Sequence, residues 1–572
     1  MAKDLSLDSS AAGLQTAPAA SKPGVRVWLA WMLRRPRLFL CLLVLLAALP
    51  GLFAMPPLDR DESRFAQATA QMLESGDFVS IYFQDEPRNK KPVGIHWLQA
   101  ASVWLTSNVA DREIWAYRLP SLAGALLATL LTFSIGQTLF GRREGLLAGA
   151  LLGTCIVLTV EAVNAKTDAM LLFSVVAVQL ALARLWAARD EGPRPGIGTA
   201  LVFWAALGFG ILIKGPLTPL VAGLTVLALS ISTRRWAWLA PLRPLIGIPV
   251  MLAIALPWFL AITLQDKTFL LRAANEDFIP KLLSGVESHG QPPGFYLGVH
   301  ILGFWPGALF ALPALVAAWL ARRRVGALPF LLAWLIPAWL VFELTPTKLP
   351  HYTLPTYPAL ALLVAWAVFA GEPWLRGRLA KLLAVIAMVG GLALGLGVVW
   401  LALELDAVQA VGPAVIVGLL AFATGAGAGY LSWRGRPLTA LVWSVPMTAL
   451  VMAWGMGFYV PRLQPLWLSP QIVAAYDAAK QPGTPPLASA GYHEPSLIFL
   501  TDKATALLSA GAAAGYLADD PKALVAVTAR QNKDFQETVA AKGVTAVPRA
   551  ELSGINYSKG RKEAITLYGR DR

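Results

Sequence analysis

Along this chain, long apolar runs alternate with short polar connections. Starting after the basic segment Met32 to Arg37, about thirteen runs reach the length needed to cross a bilayer as a helix. They fall near 38–55, 119–140, 145–163, 169–187, 197–213, 216–232, 244–264, 295–319, 327–343, 353–370, 380–403, 409–431 and 438–460. Alternate connections carry arginine: Gly141 to Glu144, Arg184/Arg189/Arg194, Arg234/Arg235/Arg243, Arg322 to Arg324, Arg376/Arg378/Lys381 and Arg434/Arg436. Positive charge marks the cytoplasmic side, so these loops and the N-terminus are expected there. An odd number of spans then leaves residues 461–572 outside. That tail is less apolar, with β-like runs at PLASAGY, SLIFL and ALVAVTA, and predicts a small α/β domain.

The pattern therefore divides the chain into a basic N-terminus (1–37), a membrane region (38–460) and the outer domain (461–572). Two further segments, 56–118 and 265–294, are expected on the outer side. In the first, Phe65, Ala68, Met72 and Leu73 recur at helical spacing, and Gly76 follows as a C-cap. This predicts an amphipathic helix lying on the outer membrane face.

Composition agrees with a membrane protein: 56% of residues are hydrophobic and 14% charged. The net charge of +14 does not point to nucleic acid, because the arginines sit in the short loops that set orientation. Cys41 and Cys155 both lie in apolar runs, which excludes a disulfide framework and a cysteine metal site. Residues 1–24, rich in Ala, Ser and Pro and without a cleavable-signal pattern, read as a disordered cytoplasmic tail.

Lysine is distributed differently from arginine. Lys90, Lys91, Lys166, Lys214, Lys267, Lys281 and Lys348 all fall on the expected outer side, several in very short connections. Such lysines oppose the orientation signal and are costly if they face lipid. Snorkelling to headgroups accounts for any one of them. The set also brings Asp61, Asp168, His351 and Tyr352 to the same membrane face, and there a bound phosphate accounts for it better. A carboxylate to deprotonate an acceptor and lysines to neutralise a phosphate leaving group are the parts of a transferase. A transporter would place its charges near the midplane. Here only Glu161, Glu343 and Glu404 near span ends, and His300 within one, interrupt the runs.

The order of motifs carries a resemblance. An Asp-Glu pair (Asp61, Glu62) follows the first span, then ML-x-SGDF (Met72 to Phe78) and KKPVGIHW (Lys90 to Trp97). AKTDAMLLF (Ala165 to Phe173), IKGPL (Ile213 to Leu217), HGQPPGFYL (His289 to Leu297) and TKLPHYTLPTYPALAL (Thr347 to Leu362) come next. This set resembles the lipid A aminoarabinose transferases and the related protein O-mannosyltransferase-like enzymes of the GT-C class. The resemblance implies a GT-C membrane fold and a sugar donor linked to a polyprenyl phosphate. It also implies a bacterial inner-membrane location with the site facing the periplasm.

Carried over residue by residue, the resemblance makes Asp61 the catalytic base, with Asp168 as the second acid of the site. Lys91 and Lys281 become contacts to the lipid phosphate, Lys281 standing where relatives have arginine. Tyr352 matches the tyrosine of the Lys-Leu-Pro-x-Tyr motif, and Lys348, Lys214, His351 and His289 join as substrate-binding candidates. Relatives have Glu-Lys-Pro where this chain has Lys90-Lys91-Pro92, and an outer-loop histidine of some falls at Phe278, so a metal site is not expected.

Each candidate also has a simpler reading. Asp61 suits a helix N-cap, with Glu62 in the first turn, and Asp168 suits another cap or a partner for Lys166. Asp59 and Glu62 read as flank. Lys214 marks a helix break at Gly215-Pro216, and Lys348 and Tyr352 suit interfacial anchoring. His96, His289 and His351 lack an obvious carboxylate set for a metal. Trp97, Trp104, Trp305 and Trp467 read as an interface belt. The expected function is transfer of a sugar, such as 4-amino-4-deoxy-L-arabinose, from undecaprenyl phosphate to a periplasmic acceptor, lipid A phosphate first among them. The alternatives are another sugar moved to protein or lipopolysaccharide core, or a lipid-linked-sugar flippase.

Overall fold

The computed structural model describes residues 32–89, 91–190, 192–269 and 291–571. Lys90, Phe278, Lys281, His289 and the N-terminal tail lie outside the described residues. Among the described residues eight helices are long and apolar enough to cross a membrane, or nine if a bent pair counts as one span. These include α1 (Pro36–Ala54), α4 (Ile114–Leu139), α7 (Asp168–Ala187), α8 (Ile197–Lys214) and α10 (Pro244–Gln265). Three more, α15 (Arg378–Glu404), α16 (Val408–Trp433) and the Pro437–Arg462 segment that begins with α17 (Pro437–Trp454), close the membrane region. The bent pair is α5 (Arg142–Thr154) with α6 (Ile156–Ala162), turned by 62° at Cys155.

Shorter apolar helices fill the other expected positions: α9 (Leu217–Thr233), α12 (Ala308–Ala321), α13 (Leu328–Leu344) and the Leu354–Phe369 segment containing α14 (Tyr357–Phe369). The run expected as one span over 295–319 is divided. It forms α11 (Phe295–Gly303) and α12, separated by Phe304 to Gly307. Apolarity continues through that break, so hydropathy alone could not mark it.

Two helices lie between α1 and α4: α2 (Asp61–Ser75) and α3 (Gly94–Thr106). Gly76 ends α2 in the left-handed conformation, as expected. The position of α2 differs from expectation. Residues on nearly every side of it are buried, including Glu62, Gln67, Thr69 and Gln71 as well as Phe65 and Met72. It is enclosed by α3, by the connection before α7 and by the C-terminal domain, and so does not float on a lipid face.

That domain contains a five-stranded sheet in the order β4-β3-β5-β7-β6. Its strands are β3 (Ala488–Ala490), β4 (Ala506–Leu508), β5 (Leu524–Thr528), β6 (Ala546–Asn556) and β7 (Arg561–Arg570), the last two forming an antiparallel hairpin. PLASAGY and ALVAVTA contain strands, but SLIFL does not. Its residues form the short helix α19 (Pro495–Leu500), behind α18 (Leu468–Ala479). Pro495 favours a helix start, and Leu497, Ile498 and Phe499 are all buried, which overrides their strand propensity. Between β1 (Tyr82–Phe83) and β2 (Glu86–Pro87) a small hairpin joins α2 to the Arg88–Lys91 segment.

One buried ion pair ties the outer end of the bundle together. Arg118 of α4 donates to Leu52 O, Met55 O and Pro56 O, carbonyls left without helical partners where α1 ends. Its Nε and Nη2 also form a fork on Glu62, at 2.8 and 2.9 Å. The same carboxylate accepts the Ala165 and Leu58 backbone N–H groups, each at 2.8 Å. Both side chains are essentially without exposure. Glu62 is therefore a structural clamp and not flank. Close backbone packing helps: a Cβ on Gly124 of α4 would stand 2.7 Å from the Ala169 backbone of α7. Removing one member of the pair strands a buried charge, so Arg118→Ala or Glu62→Gln should cost about 3–5 kcal/mol. Thermal unfolding in detergent would measure this, with an apolar double replacement (Arg118→Met with Glu62→Leu) losing less than the two single changes together.

Candidate active site

Asp61 stands one residue before the clamp. Arg60 occupies the N-cap position of α2 with φ 65°, so Asp61 is the first helical residue and makes no capping hydrogen bond. The cap reading of Asp61 is thus replaced by one in which its carboxylate is available to the outer face. A non-glycine residue held at positive φ costs about 1–3 kcal/mol, and Arg60 is retained there directly beside the exposed acid. The Asp61 side chain is 46% exposed, with the Arg88 guanidinium 3.8 Å away. One helical turn on, the Phe65 ring carries two cations: Arg88 at 5.5 Å and Lys91 at 5.1 Å from its centroid.

Behind this lies a second, tighter group. Asp168 opens α7 and Lys214 closes α8, each charge at the helix end that favours it. The two meet at 2.6 Å. Asp168 takes no side-chain capping role. Lys166 pairs with Glu161 at 3.1 Å, so the Asp168–Lys166 pairing is replaced by two separate ion pairs. The His351 ring bridges them, Nδ1 3.6 Å from Glu161 and Nε2 3.6 Å from Asp168. Tyr352 stands edge-on to His351 and takes the Lys214 ammonium over its ring at 5.5 Å. Lys348 is buried and donates to Gln291 O at 3.3 Å, which ties it to the segment before α11 and not to the carboxylates.

The structure thus gathers Asp61, Lys91, Asp168, Lys214, His351 and Tyr352 around one outer site. His96 belongs to the packing, accepting or donating with Thr69 at 2.8 Å and lying against Phe65. Among the described residues no three His, Cys, Asp or Glu side chains converge as metal ligands. The tryptophans differ too: Trp104 is exposed, Trp305 lines an apolar groove between α12 and α15, and Trp97 and Trp467 donate to backbone carbonyls.

Charges in the site perturb one another. Burial pushes the Asp61 carboxyl up, but Lys91, Lys166, Arg88 and Arg64 together hold it below the usual carboxylate range. Lys91 is drawn down to about 8, first by burial and then by Lys214, with Asp61 and Asp168 opposing. His351 is lowered by burial and by Lys166 and Lys214 despite its two carboxylate neighbours. It is therefore neutral at neutral pH. Four fixed cations then face three carboxylates, and among the described residues none of these comes within ion-pair distance of Lys91. The geometry suits an incoming anion beside a deprotonated acid.

Comparison with known proteins shows what the chain and its fold are similar to. Residues 90–260 match the family model of dolichyl-phosphate-mannose-protein mannosyltransferases. An undecaprenyl phosphate-alpha-4-amino-4-deoxy-L-arabinose arabinosyl transferase of Yersinia pestis is 28% identical over 386 residues, covering 66% of this chain and 68% of that protein. The crystal structure of ArnT from Cupriavidus metallidurans bound to undecaprenyl phosphate superposes with TM-score 0.73 at 20% identity, covering 96% of this chain and 98% of that one. The oligosaccharyltransferase AglB of Archaeoglobus fulgidus gives a TM-score of 0.50 at 11% identity, over 89% of this chain and 70% of that one.

The chain has a GT-C-like fold and is similar in sequence to these glycosyltransferases. Sequence reasoning had passed over two charged groups of this site, Arg88 and Glu161. Attention to lysine on the outer side hid Arg88, although it stands three residues before Lys91 in PRNKKP. Glu161 was visible as an acid in an apolar run, but only the 62° bend after α5 brings it to Lys166 and His351. For Lys91, the ammonium should lose its proton as pH rises through about 8, well below an exposed lysine. Carbon-13 spectra of dimethylated lysines in the full-length protein would show this midpoint, with Lys91→Arg identifying the resonance.

Proposed function

We propose that this transferase moves 4-amino-4-deoxy-L-arabinose from undecaprenyl phosphate to a phosphate of lipid A at the periplasmic face of the bacterial inner membrane. The observation that carries this reading is Asp61, ionised and accessible, beside Arg88 and a Lys91 that among the described residues has no carboxylate within ion-pair distance. The names of the relatives support the donor. Residues 1–37, 38–460 and 461–572 serve as cytoplasmic N-terminus, membrane catalytic region and periplasmic domain.

In the proposed reaction an acceptor oxygen attacks the anomeric carbon as the bond to the carrier phosphate breaks. Asp61 takes the proton from the acceptor, or orients an acceptor phosphate already ionised. Lys91 neutralises the charge gathering on the departing lipid phosphate, which becomes a dianion. Lys214 and Lys166, each paired with a carboxylate, hold Asp168, Glu161 and His351 in fixed positions against the sugar. Lys281, His289 and Lys348 are assigned to the lipid phosphate from the sequence motifs.

Asp61→Asn preserves size but removes the base, and should lower turnover about 100- to 10,000-fold with carrier-lipid binding retained. Lys91→Ala should weaken donor binding as well as turnover, because the phosphate is charged before and after transfer. Donor affinity should also fall as pH rises through about 8, where Lys91 becomes neutral. Purified variants in nanodiscs, assayed for transfer to lipid A, test all three; near-normal turnover by Asp61→Asn sinks the mechanism. Orientation has its own check. A cysteine at Gly511 should react with an impermeant reagent from the periplasm and one at Arg323 should not, and the reverse outcome would place the site on the wrong side.

A further inference from the structure

Two segments flank Asp61 and its cations, and the C-terminal domain grips both. On the first, Ser496 Oγ of α19 donates to the Asp59 carboxylate. The Asp59 N–H donates to the Tyr557 hydroxyl at 2.7 Å, and the Arg60 guanidinium reaches Ser558 O. Ser496 is itself fixed in a buried chain with Ser469 (2.6 Å), which meets Tyr492 (2.9 Å). On the second, Gln84 of the β1–β2 turn donates to Lys503 O at 2.9 Å and Thr505 O at 2.8 Å. Four residues later stands Arg88, and then Lys91.

Beneath these polar contacts, Phe499 has no exposed surface. It packs with Ala66 and Ala70 of α2, Tyr117 of α4 and Ala165. The ring meets Tyr117 edge-on at 5.3 Å. An ordinary soluble appendage would touch the membrane region through one surface strip. Here the contacts fall on the residues immediately before Asp61, on the inner face of its helix and on the hairpin leading to its cations.

We propose that the C-terminal domain is a positioning element of the active site. Its Ser496, Tyr557 and Ser558 fix the strained Asp59–Arg60 entry to α2, while Lys503 and Thr505 fix the hairpin, and together they set the Asp61–Arg88–Lys91 geometry. Asp59 is a positioning residue and touches no substrate. The inference rests on Asp61 being the reacting carboxylate.

Protonation gives the clamp a signature. Burial pushes the Asp59 carboxyl up to about 6, Glu494 adds to the shift, and Ser496, Tyr557 and Arg60 oppose it. Tyr492 also faces the carboxylate, and Glu494 is itself held by Asn556 and Lys559. A pKa raised by docking means that the docked state favours the proton. The contact is therefore firmest at low pH and loosens as pH rises through about 6.

The test uses full-length protein in nanodiscs. Ser496→Ala with Tyr557→Phe should speed amide exchange in residues 58–64 and lower kcat about tenfold, in line with the cost of small displacements at a reacting centre. The KM for the undecaprenyl-phosphate-linked sugar should change little, and Ser496→Thr alone should retain near-normal kcat. Gln84→Ala, which leaves α19 untouched, should raise the donor KM by displacing Arg88 and Lys91. In wild type, exchange in 58–64, corrected for intrinsic rates, should increase between pH 5.5 and 7.5, and Asp59→Asn should flatten that rise.

Faster exchange with kcat within twofold of wild type overturns the inference. So does a kcat loss without faster exchange, or a pH profile that Asp59→Asn leaves unchanged. Asp61→Asn run in parallel separates the two readings. If Asp61→Asn abolishes transfer while the clamp variants do not slow it, only the positioning role fails. If Asp61→Asn is active, the reading of the site fails first.

Discussion

The end of the bundle that carries the site depends on Arg118 and Glu62. An ion pair without solvent exposure is weak evidence for stability by itself, because desolvation offsets most of its attraction. This one is different in what else it satisfies. Three carbonyls at the end of α1 receive Arg118, and two backbone N–H groups reach Glu62. A spanning helix that ends near lipid must find donors for its last carbonyls, since unsatisfied backbone there costs several kcal/mol. Using an arginine from α4 for that purpose fixes α1 against α4. Using Glu62 as its counterion then fixes α2, and through Ala165 the connection that carries Lys166 and Asp168.

From that frame the electrostatics follow. The inner acids, Glu161 and Asp168, are each matched with a lysine, which offsets the cost of burying them. The outer part is deliberately unbalanced in the other direction, with Arg88 and Lys91 around a single, half-exposed Asp61. Lys91 is the group that feels this most. Burial and the repulsion of Lys214 make its charged form costly. A phosphate dianion would relieve that cost by linkage, so the same lysine binds the anion more strongly as negative charge accumulates on it. An arginine would remain charged regardless, and would offer less discrimination between substrate and departing product.

Much of this was legible in the sequence, and the gaps have physical causes. Hydropathy located the apolar helices because a bilayer demands length and apolarity in each one independently. The separation of α11 from α12 was invisible because both sides of it are equally apolar. Gly76 was readable as a cap because left-handed backbone favours glycine at very few kinds of position. Arg60, also at positive φ, could not be read, since its conformation is imposed by partners 437 to 498 residues away in Ser496, Tyr557 and Ser558. The same distance explains α2. Its apolar spacing predicted one buried face, whereas the C-terminal domain covers a second, where Ala66 and Ala70 meet Phe499.

Asp59, Asp61 and Glu62 show how little residue type decides by itself. Three carboxylates lie within four positions and have three different fates. Asp59 points to the C-terminal domain, is half-buried beside Glu494 and is pushed towards its neutral form. Glu62 points into the bundle and forks onto Arg118. Asp61, between them, is left facing the cations of the outer site. The turn at Arg60 and the start of α2 send the three side chains in separate directions, since successive helical residues are about 100° apart. Anchoring the two outer members leaves the middle one little freedom to rotate. A carboxylate fixed from both sides, uncapped and only loosely paired with Arg88 at 3.8 Å, can remain ionised, accessible and aimed, which is the combination a base at a transfer site requires.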